Sequence, residues 1–425
     1  MMKVAVLVLA VVLSVPSSLY AEDGSKVLTI DHLVPHLSTV PANASDEVNL
    51  FVRERVRSDI DGNPRKAVLM IHGASIPALP GMDLRHDHYD WALWLAQAGG
   101  FDVFILDFQG SGLSPRPTMD DPCNAPTADQ TSVLIPNPLS AACPPSYAYQ
   151  LVNSQSDWDE LDTVVDYIRA IRGVDKVALV SWSQGSFRIG PYAVQHPDKV
   201  ESLLFLAPIY NPAGRAGTGP DGFAPPAGLY DPETLKVLPQ LGPPMSLTTR
   251  SRLMGLWNPE IKCVDQVEEG IQDVVWSAIM DSDPIGRNWG PPPAGAPAGS
   301  PPEGVMRVRS FFPIWGWNAT TVRRLSVPVL IIVGTLDALV ELFPNFPNSF
   351  FNLYETIPHD HKLLFRVDCA GHLMPWEKQR RVLHHISKEW LKHGAVDGCT
   401  RGRFFVDTEG AIFPQDPQDQ PATCE

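Results

Sequence analysis

Residues 176–185, Lys-Val-Ala-Leu-Val-Ser-Trp-Ser-Gln-Gly, decide how this chain folds. The apolar, β-branched start of this stretch predicts a buried strand, and its small and polar end predicts a sharp turn into a helix. A serine on such a turn has its hydroxyl in the open. The amide of the next residue stands at a helix N-terminus, where unpaired N–H groups can bind an oxyanion. Ser183 is therefore a candidate nucleophile.

This strand is one of several in a repeating pattern of strands and helices. Two β-rich runs lie within residues 26–57, and further strands are predicted at 67–71, 101–107, 202–206, 327–333 and 363–368, with helices at about 90–98, 156–171 and 375–393. The strand at 67–71 is continuously apolar, as expected when both faces of a sheet are covered. Alternating strands and helices predict an α/β fold with a mostly parallel sheet and helices on both faces.

The pattern breaks after Tyr210 and resumes at Val327. The residues between are rich in Pro and Gly, with helical stretches near 247–257 and 264–280, which predicts an insertion, or cap, over the sheet. The predicted segments are a signal peptide at 1–21, a first part of the core at 22–210, a cap at 211–325, a second part of the core at 326–394 and a loop-rich C-terminal tail at 395–425. A second Pro-rich loop, at 115–150, is expected to cover part of the site.

The N-terminus predicts export. Lys3 precedes an uncharged apolar stretch from Val4 to Val15, too short to span a bilayer, and small and polar residues then reach Ala21. This order is typical of a cleaved secretory signal peptide. We therefore expect a secreted or periplasmic protein without stable membrane insertion.

The six cysteines fit disulfide bonds in an oxidising compartment. They include no Cys-x-x-Cys pair, so a zinc site is not expected, and no metal or other cofactor is predicted. Six cysteines allow 15 connectivities. Pairing within local segments predicts Cys123–Cys143 and Cys399–Cys424, which leaves Cys263–Cys369 by elimination.

Composition limits the partners of this chain. Its 425 residues are 44% hydrophobic, which is ample for a large core, and its formal net charge is -15. Because no run of Lys and Arg offers a basic patch, nucleic acid is not an expected partner. The remaining expectation is a small-molecule substrate or a fragment of a polymer.

A hydroxyl nucleophile needs a base, and that base needs an acid that orients it. In a parallel sheet, residues just after the strand C-termini converge at one edge. Ser183 follows one predicted strand, Asp337 follows 327–333, and His372 follows 363–368. These three side chains are therefore expected to meet.

The order Ser, Asp, His, with Gly371-His372 just before a final helix, resembles the α/β-hydrolase superfamily. The resemblance covers about residues 45–210 and 325–393. It rests on five motifs that occur in the expected order: His72-Gly73-Ala74, Asp107-Phe108-Gln109-Gly110-Ser111-Gly112-Leu113-Ser114, Ser181–Gly185, Gly334-Thr335-Leu336-Asp337 and Gly371-His372. The third motif departs from the usual Gly-x-Ser-x-Gly pattern, because Ser181 stands in place of the first glycine.

The resemblance implies a role for each site residue. Ser183 attacks the substrate carbonyl, His372 moves the proton, and Asp337 fixes the imidazole tautomer. The amides of Gln184 and Ala74 stabilise the oxyanion. The expected activity is hydrolysis of carboxylic esters without a cofactor.

Specificity and reaction type stay open at this point. Trp182, Trp289 and Trp315 are candidate walls of a pocket for an apolar or aromatic group, although packing of the cap explains such residues equally well. The same triad could cleave carbon–carbon bonds of the β-diketone type, or short peptides. A catalytically inactive binding protein with this fold is the remaining alternative.

Overall fold

The computed structural model describes residues 26–58, 65–74, 76–133, 139–147, 149–226, 230–231, 236–237, 243–310, 314–339 and 348–415. Its strands are β1 Val27–Leu37, β2 Glu47–Arg57, β3 Ala67–Ile71, β4 Asp102–Leu106, β5 Val177–Trp182, β6 Val200–Leu206, β7 Tyr230–Asp231, β8 Lys236–Val237, β9 Met245–Thr249, β10 Val305–Arg309, β11 Val329–Gly334, β12 Lys362–Val367, β13 Gly402–Val406 and β14 Ile412–Pro414. Its α-helices are α1 Ala78–Met82, α2 Trp91–Trp94, α3 Thr127–Gln130, α4 Ser154–Arg172, α5 Ser186–Gln195, α6 Arg250–Trp257, α7 Ile271–Asp281, α8 Ala319–Val322, α9 Ser349–Thr356 and α10 Arg380–His393.

A ten-stranded sheet forms the centre of the molecule, in the order β1-β2-β4-β3-β5-β6-β11-β12-β13-β14. The strands from β4 to β13 in this order run parallel, whereas β1, β2 and β14 are antiparallel to their neighbours. Every residue of β3, β4, β5 and β11 is buried, as continuous apolar runs in a covered parallel sheet require. The predicted α/β fold with a mostly parallel sheet is confirmed.

Local signals set the bounds of the longest helix, α4. Asn153 caps its first turn by accepting from the amide of Ser156, whose hydroxyl in turn accepts from the Asn153 amide. Gly173 ends it with a positive φ of 62°. One buried face, which includes Leu161, Val164 and Ile168, then packs into the core.

The C-terminal segment differs from its prediction as a loop-rich tail. Residues 402–406 form β13, which pairs with β12 in parallel, and residues 412–414 return as β14. In β13 the buried and half-buried residues alternate because one face packs on the core through Phe404 and Val406. The tail therefore extends the sheet, and its short strands gave too weak a pattern to predict.

The segment 211–325 carries β9 and β10, which pair antiparallel, and helices α6 and α7. The predicted helix at 264–280 is wrong over its first residues, because α7 begins at Ile271 after Gly270, whose φ is +80°. Apolar side chains of α6 and α7, including Trp257 and Val275, belong to the same buried cluster as the sheet. Arg307 of β10 also donates to the carbonyl of Met119 at 2.7 Å, which joins this segment to the 115–150 loop.

Two of the three predicted disulfides are confirmed, namely Cys123–Cys143 and Cys263–Cys369. The predicted Cys399–Cys424 pair and the predicted signal peptide at 1–21 fall outside the described residues, in whole or in part. Within the described part of the chain, none of the helices combines the length and the apolar character that crossing a membrane would need.

Candidate active site

Ser183 lies on a strained turn at the end of β5. The strand ends at Trp182, residues Ser183–Gly185 form a short 3-10 turn, and α5 follows at once. Ser183 has a φ of +55°, a conformation that costs a non-glycine residue about 1–3 kcal/mol and is typical of functional turns. The turn leaves Ser183 and Gln184 half-buried at the sheet edge.

One position of the turn must be glycine for the turn to pack against its neighbours. A Cβ at Gly185 would lie 2.8 Å from Cβ of Ser181 and 3.0 Å from the carbonyl oxygen of His72, where ordinary contacts are 3.4–4 Å. Glycine at 185 is therefore required by close approach. Because position 185 has no Cβ, the side chain of Ser181 has room beside it, so serine is tolerated where the usual pattern has its first glycine.

The His72-Gly73-Ala74 loop after β3 lies against Ser183. A Cβ at Gly73 would be 3.2 Å from Cβ of Ser183 and 3.8 Å from its Oγ. The half-buried Ala74 follows directly. Both predicted oxyanion donors, Ala74 and Gln184, thus belong to loops next to Ser183, and their role stays a prediction.

A network of buried charged side chains fixes the position of this loop. Arg188 of α5 donates through Nη1 to the carbonyl of His72 at 2.8 Å and through Nε to Asp157 at 2.7 Å. Arg309 of β10 donates to the other oxygen of Asp157 at 2.7 Å. Burial, together with Arg188 and Arg309, holds the pKa of His72 well below its ordinary value, so His72 is neutral at pH 7.

His372 and Asp337 meet at the ends of neighbouring strands. Asp337 follows β11 and His372 follows β12, and the two loops are joined by the Leu336 amide, which donates to the carbonyl of Ala370 at 2.9 Å. His372 Nδ1 and Asp337 Oδ2 are 2.9 Å apart, and both residues are buried. This hydrogen bond leaves Nε2 of His372 as the ring nitrogen that can accept a proton.

The electrostatics around His372 favour its protonated form. Burial lowers the pKa of His372, but the carboxylates of Asp337, Glu260 and Glu377 outweigh burial and raise the pKa above its ordinary value. An imidazolium formed at this position is therefore stabilised, which is what proton uptake from a serine requires.

Trp182 connects the serine turn to the histidine loop. Its indole N–H donates to the carbonyl of His372 at 2.9 Å, and its ring meets Trp376 edge-on at 5.4 Å between centroids. Only 2% of Trp182 is exposed. Its observed contacts are those of a side chain that fixes the two loops relative to each other.

The other two predicted pocket tryptophans lie in different places. Trp289 belongs to a second buried cluster, shared with the 115–150 loop, and stacks under the guanidinium of Arg307 at 5.0 Å. Trp315 is 0% exposed, and its indole N–H donates to the carbonyl of Phe223 at 2.9 Å. Trp315 thus has no exposed face in this structure, and contact of these residues with substrate stays a prediction.

Sequence reasoning missed two carboxylates at the site. Glu260, from the segment 211–325, accepts from the amides of Ala338 at 2.9 Å and His372 at 2.6 Å. Glu377, just after the histidine loop, accepts from the amide of Gly371 at 2.8 Å. A signal for Glu260 was present, because the predicted Cys263–Cys369 bridge brings its neighbourhood within a few residues of His372.

Comparison with protein families identifies the family of this chain. A model of the alpha/beta hydrolase family matches residues 68–384, which is more than half of the chain. The chain therefore belongs to the alpha/beta hydrolase family. A comparison with curated protein sequences gives no match.

Solved structures with a similar fold include hydrolases of several kinds. An esterase from Thermogutta terrifontis is 15% identical, with 85% of this chain and 98% of that chain covered and a TM-score of 0.44. A 2-hydroxy-6-oxo-6-phenylhexa-2,4-dienoate hydrolase from a Rhodococcus species is 17% identical, with 84% and 96% covered and a TM-score of 0.43. A meta-cleavage product hydrolase from Pseudomonas fluorescens is 14% identical, with 84% and 96% covered and a TM-score of 0.45. Similarity of this degree says nothing about the substrate of this chain.

Proposed function

We propose that this hydrolase is an exported serine esterase, which cleaves carboxylic esters through an acyl-Ser183 intermediate. The observation that carries the proposal is the left-handed backbone of Ser183, with φ +55°, at the end of a buried strand. The last residue of that strand, Trp182, is hydrogen-bonded to the loop of His372. A serine held on a strained turn, next in sequence to a residue bonded to the loop of a carboxylate-bound histidine, supports activation of its hydroxyl as a nucleophile.

In the first half of the reaction, Ser183 Oγ attacks the ester carbonyl while Nε2 of His372 takes its proton. Negative charge moves to the carbonyl oxygen, which the amides of Gln184 and Ala74 bind; each donor is worth about 3–4 kcal/mol to the barrier. The tetrahedral intermediate then breaks its bond to the alcohol oxygen. His372 returns the proton to this leaving group, and the acyl group remains on Ser183.

In the second half, water takes the place of the alcohol. His372 removes a proton from the water, whose oxygen attacks the acyl carbon. The bond to Ser183 breaks, the serine oxygen regains its proton from His372, and the carboxylic acid leaves. Asp337 accepts the hydrogen bond from Nδ1 of His372 and so holds the imidazole in its working tautomer.

We assign substrate selectivity to two segments. These are residues 211–325, which we propose as the cap, and the 115–150 loop. The two are joined by the contact between Arg307 and Met119, so they act as one cover. Within this proposal, the space beneath the cover takes an apolar or aromatic group of the ester. The preferred acyl length therefore measures the space beneath this cover.

The test is hydrolysis of p-nitrophenyl esters with short, long and aryl acyl groups. Wild type, Ser183→Ala and Ser251→Ala are compared; Ser251 is an exposed serine of α6 and serves as the matched control. We expect turnover by wild type and by Ser251→Ala, and loss of at least about 1,000-fold in Ser183→Ala. Equal activity in Ser183→Ala would refute the nucleophile assignment.

If the protein hydrolyses none of the esters, two other reaction types are tested. A folded wild type that leaves every ester intact, yet cleaves a β-diketone or a short peptide in a Ser183-dependent manner, would place the same triad in that chemistry. A folded protein without Ser183-dependent turnover on all three substrate classes would be a binding member of the family.

A further inference from the structure

The segment just after α6 is fixed onto the histidine loop. A disulfide joins Cys263 to Cys369, which stands three residues before His372. The side chain of Gln266 reinforces the contact, since its Nε2 donates to Glu377 at 3.2 Å. The backbone that carries Glu260 is therefore held at the site by covalent and polar links.

The carboxylate of Glu260 bridges the two loops that carry the acid and the base. Oε1 accepts from the amide of Ala338, directly after Asp337, at 2.9 Å. Oε2 accepts from the amide of His372 itself at 2.6 Å. Glu260 is 4% exposed, so these charge-assisted hydrogen bonds are made in a site of low polarity, where they are strong.

A second buried carboxylate is also hydrogen-bonded to the histidine loop. Glu377 accepts from the Gly371 amide at 2.8 Å and from the Trp257 indole at 3.3 Å. A Cβ at Gly371 would lie 2.5 Å from Oε2 of Glu260 and 2.9 Å from Oε1 of Glu377. Gly371 is therefore enclosed between the two carboxylates.

This placement is electrostatically costly. The negative charges of Glu260 and Asp337 repel each other, and burial together with that repulsion raises the pKa of Glu260. A neutral side chain could tie two loops without this cost. A carboxylate does more, because its charge also stabilises the positive charge that His372 acquires during catalysis.

We propose that Glu260 is a positioning residue of the triad: its carboxylate ties the Asp337 loop to the His372 loop and complements the imidazolium. The inference rests on the proposed function, since it presumes that Ser183, His372 and Asp337 work as a triad. This proposal also assigns a role to the Cys263–Cys369 disulfide, which holds Glu260 in position.

The prediction for pH dependence follows from the charges around His372. The groups that face the imidazole are Asp337, Glu260 and Glu377, while Arg380 of α10 pairs with Glu268 instead. Neutralising Glu260 removes a charge that raises the pKa of His372. The acidic limb of the rate profile, which reports the loss of neutral His372, should then move to lower pH by about 0.5–1 unit.

The experiment follows labelling of the protein by a fluorophosphonate probe, which reacts with activated serines whatever the natural substrate. Second-order labelling rates are measured between pH 5 and pH 9, roughly the range in which histidine titrates. The proteins compared are wild type, Ser183→Ala, Glu260→Gln and Glu269→Gln. Glu269 is an exposed glutamate of the same segment and makes the same change of charge. We expect Glu260→Gln to lose about tenfold in rate at pH 8 and to shift the acidic limb downwards, and Glu269→Gln to match wild type.

The outcomes separate the two proposals. Wild type that is not labelled, or is labelled equally after Ser183→Ala, refutes the serine esterase and with it the role of Glu260. Ser183-dependent labelling with identical profiles for Glu260→Gln and Glu269→Gln refutes the role of Glu260 alone. A slower rate with an unmoved acidic limb also contradicts it, because a purely structural residue would give that result.

Glu260→Asp carries the test if Glu260→Gln fails to fold. It keeps the charge but is one methylene shorter, so it cannot reach both amides. We expect the acidic limb to stay at the wild-type position and the rate to fall about tenfold. A wild-type rate in Glu260→Asp would show that bridging of the two loops is not needed.

Discussion

Replacing Gly185 by alanine tests how closely the turn that carries Ser183 is packed. The added Cβ would lie 2.8 Å from Cβ of Ser181, 3.0 Å from the His72 carbonyl oxygen and 3.2 Å from that of Ile71, where ordinary contacts are 3.4–4 Å. None of these atoms is the far end of a flexible side chain. The turn must therefore move away from the end of β3 by about 0.5 Å to restore contact.

A movement of that size affects stability and catalysis to different extents. Overpacking of a fixed site costs about 1–3 kcal/mol in the free energy of unfolding. The turn also moves relative to the His72-Gly73-Ala74 loop, so that Ser183 and the two oxyanion donors no longer share one geometry. A misplacement approaching 1 Å costs roughly 100-fold in rate, so we expect kcat/KM on the best p-nitrophenyl ester to fall between about 10-fold and 100-fold.

Gly255→Ala is the matched control. Gly255 is an exposed position in α6 where a Cβ would meet nothing within 4 Å. Alanine there should raise stability by about 0.4–1 kcal/mol and leave kcat/KM unchanged. The thermal unfolding midpoint and kcat/KM for ester hydrolysis are measured for both variants and for wild type. Wild-type kcat/KM in Gly185→Ala would refute the argument that close packing of this turn sets the geometry of Ser183.

Three more predictions concern the charges and links around the site. Asp337→Asn should leave the thermal unfolding midpoint close to wild type but lower kcat by roughly 1,000-fold to 10,000-fold, because the imidazole loses its tautomer control; steady-state kinetics measure this, and a loss under tenfold would contradict it. Because the pKa of His372 is raised, kcat/KM should fall as pH decreases with a midpoint above 6.5, and a midpoint below 6.5 would contradict the carboxylate cluster. Cys263→Ala/Cys369→Ala opens a link across a sequence separation of 106 residues and should lower the free energy of unfolding, measured with denaturant, by about 5 kcal/mol, against about 3 kcal/mol for Cys123→Ala/Cys143→Ala across 20 residues; the reverse order would contradict this reasoning.

The fold was predictable where the sequence alone dictates burial. The strands β3 and β5 are continuous apolar runs, and the structure places them within two residues of the predicted ends. Their order with the intervening helices implied a parallel sheet, and the carboxyl ends of β5, β11 and β12 then placed Ser183, Asp337 and His372 at one edge. The structure bears out these strand ends and joins Asp337 to His372, while the catalytic roles of the three residues stay predictions.

The carboxylates around His372 were not predictable from local pattern. Glu260 is one of many polar residues in a Pro-rich insertion, and apart from the predicted Cys263–Cys369 bridge nothing but its tertiary contacts with residues 338 and 372 distinguishes it. Likewise, β13 was missed because its alternation covers only five residues, and its pairing partner β12 lies about 40 residues earlier. Long-range contacts of this kind leave no periodic trace in the sequence.

Trp315 shows the limit of reasoning from residue type. An aromatic residue in a cap suits both a pocket wall and a packed core, and the sequence does not distinguish them. The structure buries Trp315 completely, with Trp158 edge-on and the Phe223 carbonyl on its N–H. Its burial reflects packing between the segment 211–325 and α4, a contact that no local pattern encodes.

The most direct test of the central claim is to locate the covalent adduct that an activated-serine probe forms. Wild type is reacted with a fluorophosphonate, digested with trypsin and sequenced by mass spectrometry. The peptide of residues 177–188 contains Ser181, Ser183 and Ser186, so fragment ions distinguish them. Ser186 is fully buried, with its hydroxyl 2.7 Å from the Ile209 carbonyl, and should stay unmodified. We expect one adduct, on Ser183, which is lost in Ser183→Ala and forms much more slowly in His372→Ala; an adduct on another serine, or none on a folded protein, would contradict the serine hydrolase mechanism.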